Sequence, residues 1–336
     1  MKKKVNVVIM GATGAVGTDM LKLLKERDFP VGQLKLIADP KEAGQKINFL
    51  GTDYVVEPPS PDCFKGSQIT LMAVDVPVSL QYSPEAVKCG SIVVDNSSAY
   101  RLDPKVPLVV PEVNEEDIWT HQGIIANPNC ATIIPMVALG PLHKYANIRR
   151  LVASTYQSAA GGGFAGIKEL KDQCLQVING EPVTKNVFLQ QIAFNVFPHI
   201  DKFQDNDYTY EEMKMVNESR KILHCPELRV NCTSVRVPTI SSIFESITIE
   251  TERELTPQKA REILANAPGI KLTDDPANSI YPMPVDVYNQ GLIFVGRIRR
   301  DISADNSLSL CVCGDQVRKG AALNAVQIAE ILASRL

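Results

Sequence analysis

The sequence has no apolar run of the roughly 18 residues that a membrane-spanning helix needs. It opens without the basic, apolar and small-residue segments that together form an export signal. Cytoplasm is therefore the expected compartment, and the eight cysteines are expected as reduced thiols rather than a disulfide framework. Neither sign of charge dominates: 35 Lys and Arg stand against 38 Asp and Glu, for a net charge of -3. That balance gives no sign of a polyanion-binding surface. The one basic cluster, Met1-Lys2-Lys3-Lys4, is short and runs straight into a strand pattern, so no nucleic-acid partner is expected. No C-x-x-C pair flanks Cys225 and Cys232, and His224 stands apart from other ligands. Cys311 and Cys313 alternate along a strand and would share one face. All four read as small buried hydrophobes, and no metal is expected. There is no internal repeat and no low-complexity segment.

What is present is an ordinary globular composition over 336 residues, more than one compact core usually supports, so two domains are expected. Val5 to Met10 is a short, nearly continuous apolar run with the look of a strand buried on both faces. Gly11-Ala-Thr-Gly14-Ala-Val-Gly17 follows directly, and then residues 19–27 carry Met20, Leu21, Leu23 and Leu24 at helical spacing. Strand, glycine turn and helix form the first unit of a βαβ fold. Residues 33–38, 68–73, 91–95 and 123–126 read as further strands, with helical or irregular segments between them. Pro58, Pro59 and Pro61 mark a surface loop. Beyond residue 131, long strands at 148–157, 230–238 and 244–251 alternate with amphipathic helices. The expected architecture is α/β: a Rossmann-type doubly wound sheet over 1–129, then an α+β domain over 130–320. The apolar face of 321–336 predicts a helix that packs back on the first domain.

The glycine spacing has a physical use. Glycines permit a tight turn and close backbone approach, while the following helix offers free N–H groups to a pyrophosphate. Gly11, Thr13, Gly14, Ala15, Val16 and Gly17 are therefore candidate cofactor-binding residues. Asp39 follows the second strand, where a carboxylate binds the ribose hydroxyls of NAD. Lys41, two residues on, could instead pair with the 2′-phosphate of NADP. The two signals oppose each other and leave the cofactor open between NADP and NAD. Cys130 stands where strand texture gives way to a helix over 131–139. A helix N-terminus lowers a thiol pKa and raises its nucleophilicity. Gln157 ends an apolar strand and leads into Gly161-Gly162-Gly163, a sign of close ligand approach.

Several segments, in order over nearly the whole chain, resemble the aspartate-β-semialdehyde dehydrogenase family. They are 11–17, Asp-Asn-Ser-Ser-Ala-Tyr-Arg at 95–101, Val-Pro-Glu-Val-Asn at 110–114 and Asn-Pro-Asn-Cys at 127–130. Thr-Tyr-Gln at 155–157, Phe194-Asn195, Ile200-Asp201, Glu-Glu-Met-Lys at 211–214, Val-Arg-Val-Pro at 235–238 and Arg-Lys-Gly-Ala-Ala at 318–322 complete the series. The resemblance implies reduction of 4-phospho-L-aspartate to L-aspartate 4-semialdehyde through a thioester on Cys130, in lysine, threonine, methionine and diaminopimelate biosynthesis. It assigns Gln157 to substrate orientation, Arg236 to the α-carboxylate and Glu211 to the ammonium. Arg101, Asn129 and Lys214 would bind phosphate, and Ala160, Gly161 and Gln316 would join the cofactor site. NADP and a homodimer are the family expectations, with phosphate and a small-molecule substrate as partners, and the resemblance implies that 130–320 is the catalytic and dimerisation domain. A bidentate guanidinium suits a carboxylate, and Glu211 disfavours an N-acetylated substrate such as that of other acyl-phosphate reductases.

One position departs from the family pattern. A histidine belongs seven residues after Arg236, and Ile243 stands there instead, with Arg236 and Glu245 in register. General acid–base catalysis by such a group is worth about 10²–10⁴ in rate. His121, His143, His199 and His224 do not replace it in sequence. This departure keeps a catalytically weakened, binding homologue as the competing reading. Ala160, where serine is usual, and Asp39, again in place of serine, are smaller departures.

Overall fold

The computed structural model describes residues 3–336. Met1 and Lys2, half of the basic opening, lie outside the described residues. The chain divides into two compact units, Met1–Asn129 with Ala321–Leu336, and Cys130–Gly320.

The first unit is built on a seven-stranded sheet. Its strands are β1 (Val5–Met10), β2 (Val31–Ile37), β3 (Lys46–Phe49), β4 (Thr52–Glu57), β5 (Ile69–Met72), β6 (Ile92–Asp95) and β7 (Ile124–Ala126). Their order is β3-β4-β2-β1-β5-β6-β7, parallel except where β3 pairs antiparallel with β4. The order reverses between β1 and β5, which makes the C-terminal end of β1 the ligand-binding crevice of a doubly wound sheet. Buried Val5, Val7, Ile9, Leu36 and Ile69 form the core on one side. The helix Asn324–Ala333 contributes Val326, Ile328 and Leu332 to that same core.

The β3–β4 hairpin corrects the expectation of helical or irregular structure between the second and third strands. Leu50 and Gly51 both have positive φ, 52° and 83°, which suits the two-residue turn whose twist matches the flanking strands. Leucine is not a residue that announces such a turn, so the sequence hides the hairpin. The proline segment also differs in part: Pro61–Phe64 is a short 3-10 helix that buries Cys63 and Phe64 rather than a plain surface loop.

The second unit carries a mixed six-stranded sheet in the order β11-β12-β13-β10-β8-β9. These strands are β8 (Ile148–Gln157), β9 (Arg229–Arg236), β10 (Ile243–Thr251), β11 (Ile270–Leu272), β12 (Ile293–Arg300) and β13 (Ser307–Gly314). Register fixes what shares a face. Gln157 lies opposite Ile243 on β10 and beside Arg236 on β9, and Thr155 lies opposite Glu245 and beside Ser234. These residues are buried, while Ser154, Tyr156, Phe244 and Ser246 on the other face are half-buried or exposed. The helices Cys130–Ala146 and Tyr210–Ile222 belong to this unit. The latter starts with Thr209 and Glu212 in a reciprocal capping box, which fixes where Glu211 and Lys214 emerge.

Candidate active site

Cys130 is the first residue of the helix Cys130–Ala146 and is partly accessible. Helix N-termini favour anions through their unpaired N–H groups, so this is a position where an anionic sulfur is stabilised. Six of the other cysteines separate into two groups. Cys63, Cys232, Cys311 and Cys313 are buried thiols whose burial raises their pKa, whereas Cys89 and Cys225 are partly accessible. A Cβ placed on Gly320 would stand 2.9 Å from the Cys130 Cβ, so a glycine there lets backbone approach the sulfur-bearing residue. Gly320 lies in a π-helical turn, Arg318–Leu323, of the kind found at functional sites. The sequence shows it only as part of the family-like segment 318–322, with no sign of its approach to Cys130.

The candidate substrate residues converge on one sheet face. The Gln157 amide donates to the Glu211 carboxylate at 3.1 Å and to the Thr155 hydroxyl at 3.2 Å. Lys214 reaches Glu211 at 3.1 Å and Asp201 at 3.0 Å. Burial works against the Lys214 charge, but the two carboxylates outweigh it and hold the ammonium above its ordinary pKa. Burial likewise opposes ionisation of Asp201, and its hydrogen bond from Lys214 reverses that, keeping the acid below the usual range. Arg236 closes the set. Its Nη1 donates to the Ser158 carbonyl at 2.6 Å, its face lies over the Phe188 ring at 5.4 Å, and its buried Nε has no hydrogen-bond partner. Burial lowers the Arg236 pKa, with Glu211 and Cys130 acting in the opposite direction. A buried guanidinium nitrogen left without a partner marks Arg236 as a candidate for an anionic ligand.

Gly161 leaves room for that guanidinium, since a Cβ would stand 2.5 Å from Arg236 Nη1. Gln316 donates to the Ser158 hydroxyl at 2.8 Å, so Ser158, absent from the sequence-based set, links Arg236 and Gln316. Ala160 is buried beside them. Arg236 also lines a cavity of about 480 Å³ with His199, Asp201, Lys202 and Phe203. His199 stacks on Phe203 with ring centroids 4.5 Å apart. The structure thus brings one histidine to a cavity shared with Arg236. His121 and His143 instead accept from the backbone N–H groups of Gly123 and Ile148. Ile243 is 1% exposed and lies directly beside Gln157, so the aliphatic side chain occupies a site position and not a neutral one.

The glycine turn defines the first unit's candidate site. Gly11 has φ of +88°, and a Cβ there would meet the Ala73 carbonyl at 2.2 Å; one on Gly17 would meet the Gly11 carbonyl at 2.1 Å. The turn is a cradle that side chains would fill, which is what a pyrophosphate needs. Gly14 caps the helix Ala15–Glu26, which carries Val16. Arg101, a predicted phosphate ligand, is buried, and its Nε and Nη2 donate to the carbonyls of Asn127 and Asn96 at 2.9 and 2.8 Å. Asn127 in turn accepts from Asn324 at 2.7 Å and donates to Asn96 at 2.9 Å, so the end of β7 is rigidly held just before Asn129.

A glycine-turned, doubly wound sheet, followed by a second unit whose first helix opens on a partly accessible cysteine, places the chain in the class of dinucleotide-dependent dehydrogenases. Comparison with known proteins refines that class. Residues 6–121 match the semialdehyde dehydrogenase NAD binding domain, and 139–319 match the semialdehyde dehydrogenase dimerisation domain. Aspartate-semialdehyde dehydrogenase of Bacillus subtilis is 46% identical over 99% of this chain and 98% of its own length. The Aquifex aeolicus enzyme of that name is 48% identical over 97% of both. The crystal structure of aspartate semialdehyde dehydrogenase II from Vibrio cholerae superposes with a TM-score of 0.96 at 43% identity, covering 99% of both chains. The chain belongs to the semialdehyde dehydrogenase family. No described helix is long and apolar enough to cross a membrane.

Proposed function

We propose that the chain is a phosphorylating aspartate-semialdehyde dehydrogenase, reducing 4-phospho-L-aspartate to L-aspartate 4-semialdehyde. The observation that carries this reading is the Gln157–Glu211–Lys214 chain and the half-satisfied Arg236 on one buried sheet face of the unit that Cys130 opens. Arg236 grips the substrate α-carboxylate in a bidentate pair, and Glu211 meets its ammonium. Gln157, held by Thr155 and Glu211, orients the acyl group. The Cys130 sulfur attacks the acyl-phosphate carbonyl; a carbon–sulfur bond forms, the carbon–oxygen bond to phosphate breaks, and phosphate departs. Arg101, Asn129 and Lys214 are the groups proposed to receive phosphate; Arg101 is braced by backbone carbonyls and Lys214 is paired to carboxylates. When bound, the nicotinamide dinucleotide supplies the hydride that turns thioester to aldehyde. Gly11, Thr13, Gly14, Ala15, Val16, Gly17, Asp39 and Lys41 are proposed to hold it, and Ala160, Gly161 and Gln316 are the further cofactor residues that the family resemblance implies. A second Vibrio cholerae structure, that of aspartate semialdehyde dehydrogenase II complexed with ASA, has a TM-score of 0.96 to this chain, which supports a small-molecule substrate. The half-buried sheet face of Ser154, Tyr156 and Phe244 supports a homodimer through the second unit.

Ile243 bears on rate rather than on reaction type. A cysteine near neutral pH is already partly ionised, so chemistry proceeds without an adjacent base but more slowly. Turnover of L-aspartate 4-semialdehyde with phosphate, in the presence of NAD or NADP, tests the proposal. Reduced dinucleotide formation dependent on phosphate is expected. Binding of the semialdehyde without turnover would replace the proposal with the binding-homologue reading that Ile243 favours.

A further inference from the structure

The choice between the two dinucleotides is open in the sequence because Asp39 and Lys41 point opposite ways. The fold adds a third group. The glycine turn is tied to the end of β2, since the N–H groups of Gly11 and Ala12 both donate to the Ile37 carbonyl, at 2.8 and 3.1 Å. The chain then turns back on itself: the Glu42 N–H donates to the Asp39 carbonyl at 2.8 Å within the 3-10 turn Pro40–Glu42. That turn carries the Glu42 side chain onto the glycine turn, where its carboxylate accepts from the Thr13 hydroxyl at 2.6 Å. Asp39 is exposed at the end of β2, with one oxygen accepting from the Lys41 N–H at 2.9 Å.

We infer that Glu42 is a specificity-determining residue of the cofactor site and that, with Asp39, it makes NAD the preferred dinucleotide. This inference rests on the dehydrogenase reading above and concerns the same site. A carboxylate at the end of the second strand accepts from the ribose hydroxyls. A 2′-phosphate there would meet the carboxylates of Asp39 and Glu42, which bracket the 3-10 turn, against the ammonium of Lys41. Glu42 is fixed by Thr13, so it cannot swing away to relieve the repulsion without giving up a short hydrogen bond. Lys41 is exposed on a flexible stem, so its attraction for phosphate is screened by solvent.

The test is calorimetric titration of the protein with NAD and with NADP, without substrate, for the parent, Glu42→Gln and Asp39→Asn. Glutamine keeps an acceptor for Thr13 and removes only the charge. The parent is expected to bind NAD at least tenfold more tightly, and each substitution to shift the ratio toward NADP by about tenfold, the factor supported by one screened like-charge pair near a surface. For Glu42→Gln the shift should come chiefly from tighter NADP binding, and the parent's preference should shrink as salt is raised. Tighter NADP binding by the parent, or an unchanged ratio in Glu42→Gln, would overturn the inference alone. Loss of both ligands from Glu42→Gln with unaltered thermal unfolding would overturn it too, because Glu42 would then be a general binding group. A parent protein that binds neither dinucleotide would instead remove the dehydrogenase reading.

Discussion

Glu245 offers a prediction whose sign and size both follow from its surroundings. It is 0% exposed, neither carboxyl oxygen has a hydrogen-bond partner, and Glu211 adds negative charge nearby. Burial first, and Glu211 second, push its pKa well above the ordinary carboxyl value of 4.5. Even as a neutral acid, an unsatisfied buried polar group costs about 1–3 kcal/mol. Glu245→Met, unbranched and able to fill irregular space, should recover that cost. At about 2–4 °C per kcal/mol for a domain of this size class, Tm should rise by roughly 2–12 °C at acid pH. The pH dependence follows from the raised folded-state pKa. The folded state binds the proton more tightly than the unfolded state does. Its contribution to stability is therefore fully present below the unfolded carboxyl pKa and is lost as pH rises from there through the raised folded value, at up to about 1.4 kcal/mol per pH unit. Thermal unfolding followed from pH 5 to pH 8 (roughly the range in which such loss is read) should show the parent falling behind both Glu245→Met and Glu245→Gln. A constant gap would refute the reasoning. A parent that gained on the variants as pH rose would mean an ionised, stabilised carboxylate, the opposite of what the burial implies.

Two further outcomes are expected. Ile243→His places an imidazole beside Gln157 and should raise kcat by about 10-fold or more, the low end of what a positioned general acid–base contributes once a non-native fit is allowed for; steady-state kinetics across neutral pH checks it, and an unchanged rate would show that the position does not serve proton transfer. Gly11→Ala should abolish dinucleotide binding while leaving the second unit's thermal transition in place, because a Cβ there collides with the Ala73 carbonyl at 2.2 Å and φ is +88°; binding retained within about threefold would contradict the cradle.

How much of this was visible in the sequence depends on how local the cause is. The glycine turn was legible because a tight turn between a buried strand and a helix demands glycine at set positions. Gln157 was legible because a polar residue ending an apolar strand has few structural reasons to be there. Ile243 was legible only against the family pattern. The β3–β4 hairpin was not, since Leu50 takes a positive φ that leucine seldom signals. Nothing local in the sequence marks Glu42, and Glu245 serves there only to hold the register after Arg236. A 3-10 turn and a sheet register, both set by distant pairing, are what put one against Thr13 and the other in the core. Gly320 is likewise a tertiary feature, its role defined by Cys130 nearly two hundred residues earlier.

Catalysis as proposed rests on the sulfur of Cys130 as the atom that carries the acyl group. The most direct test is Cys130→Ser assayed for phosphate-dependent oxidation of L-aspartate 4-semialdehyde, beside mass spectrometry of the parent after incubation with semialdehyde and dinucleotide without phosphate. Serine should lower kcat by at least about 10³-fold, as loss of an essential nucleophile does, and the parent should gain the mass of one acyl group on the peptide that contains Cys130. Full turnover by the serine variant, or acylation at another cysteine, would contradict the thioester route.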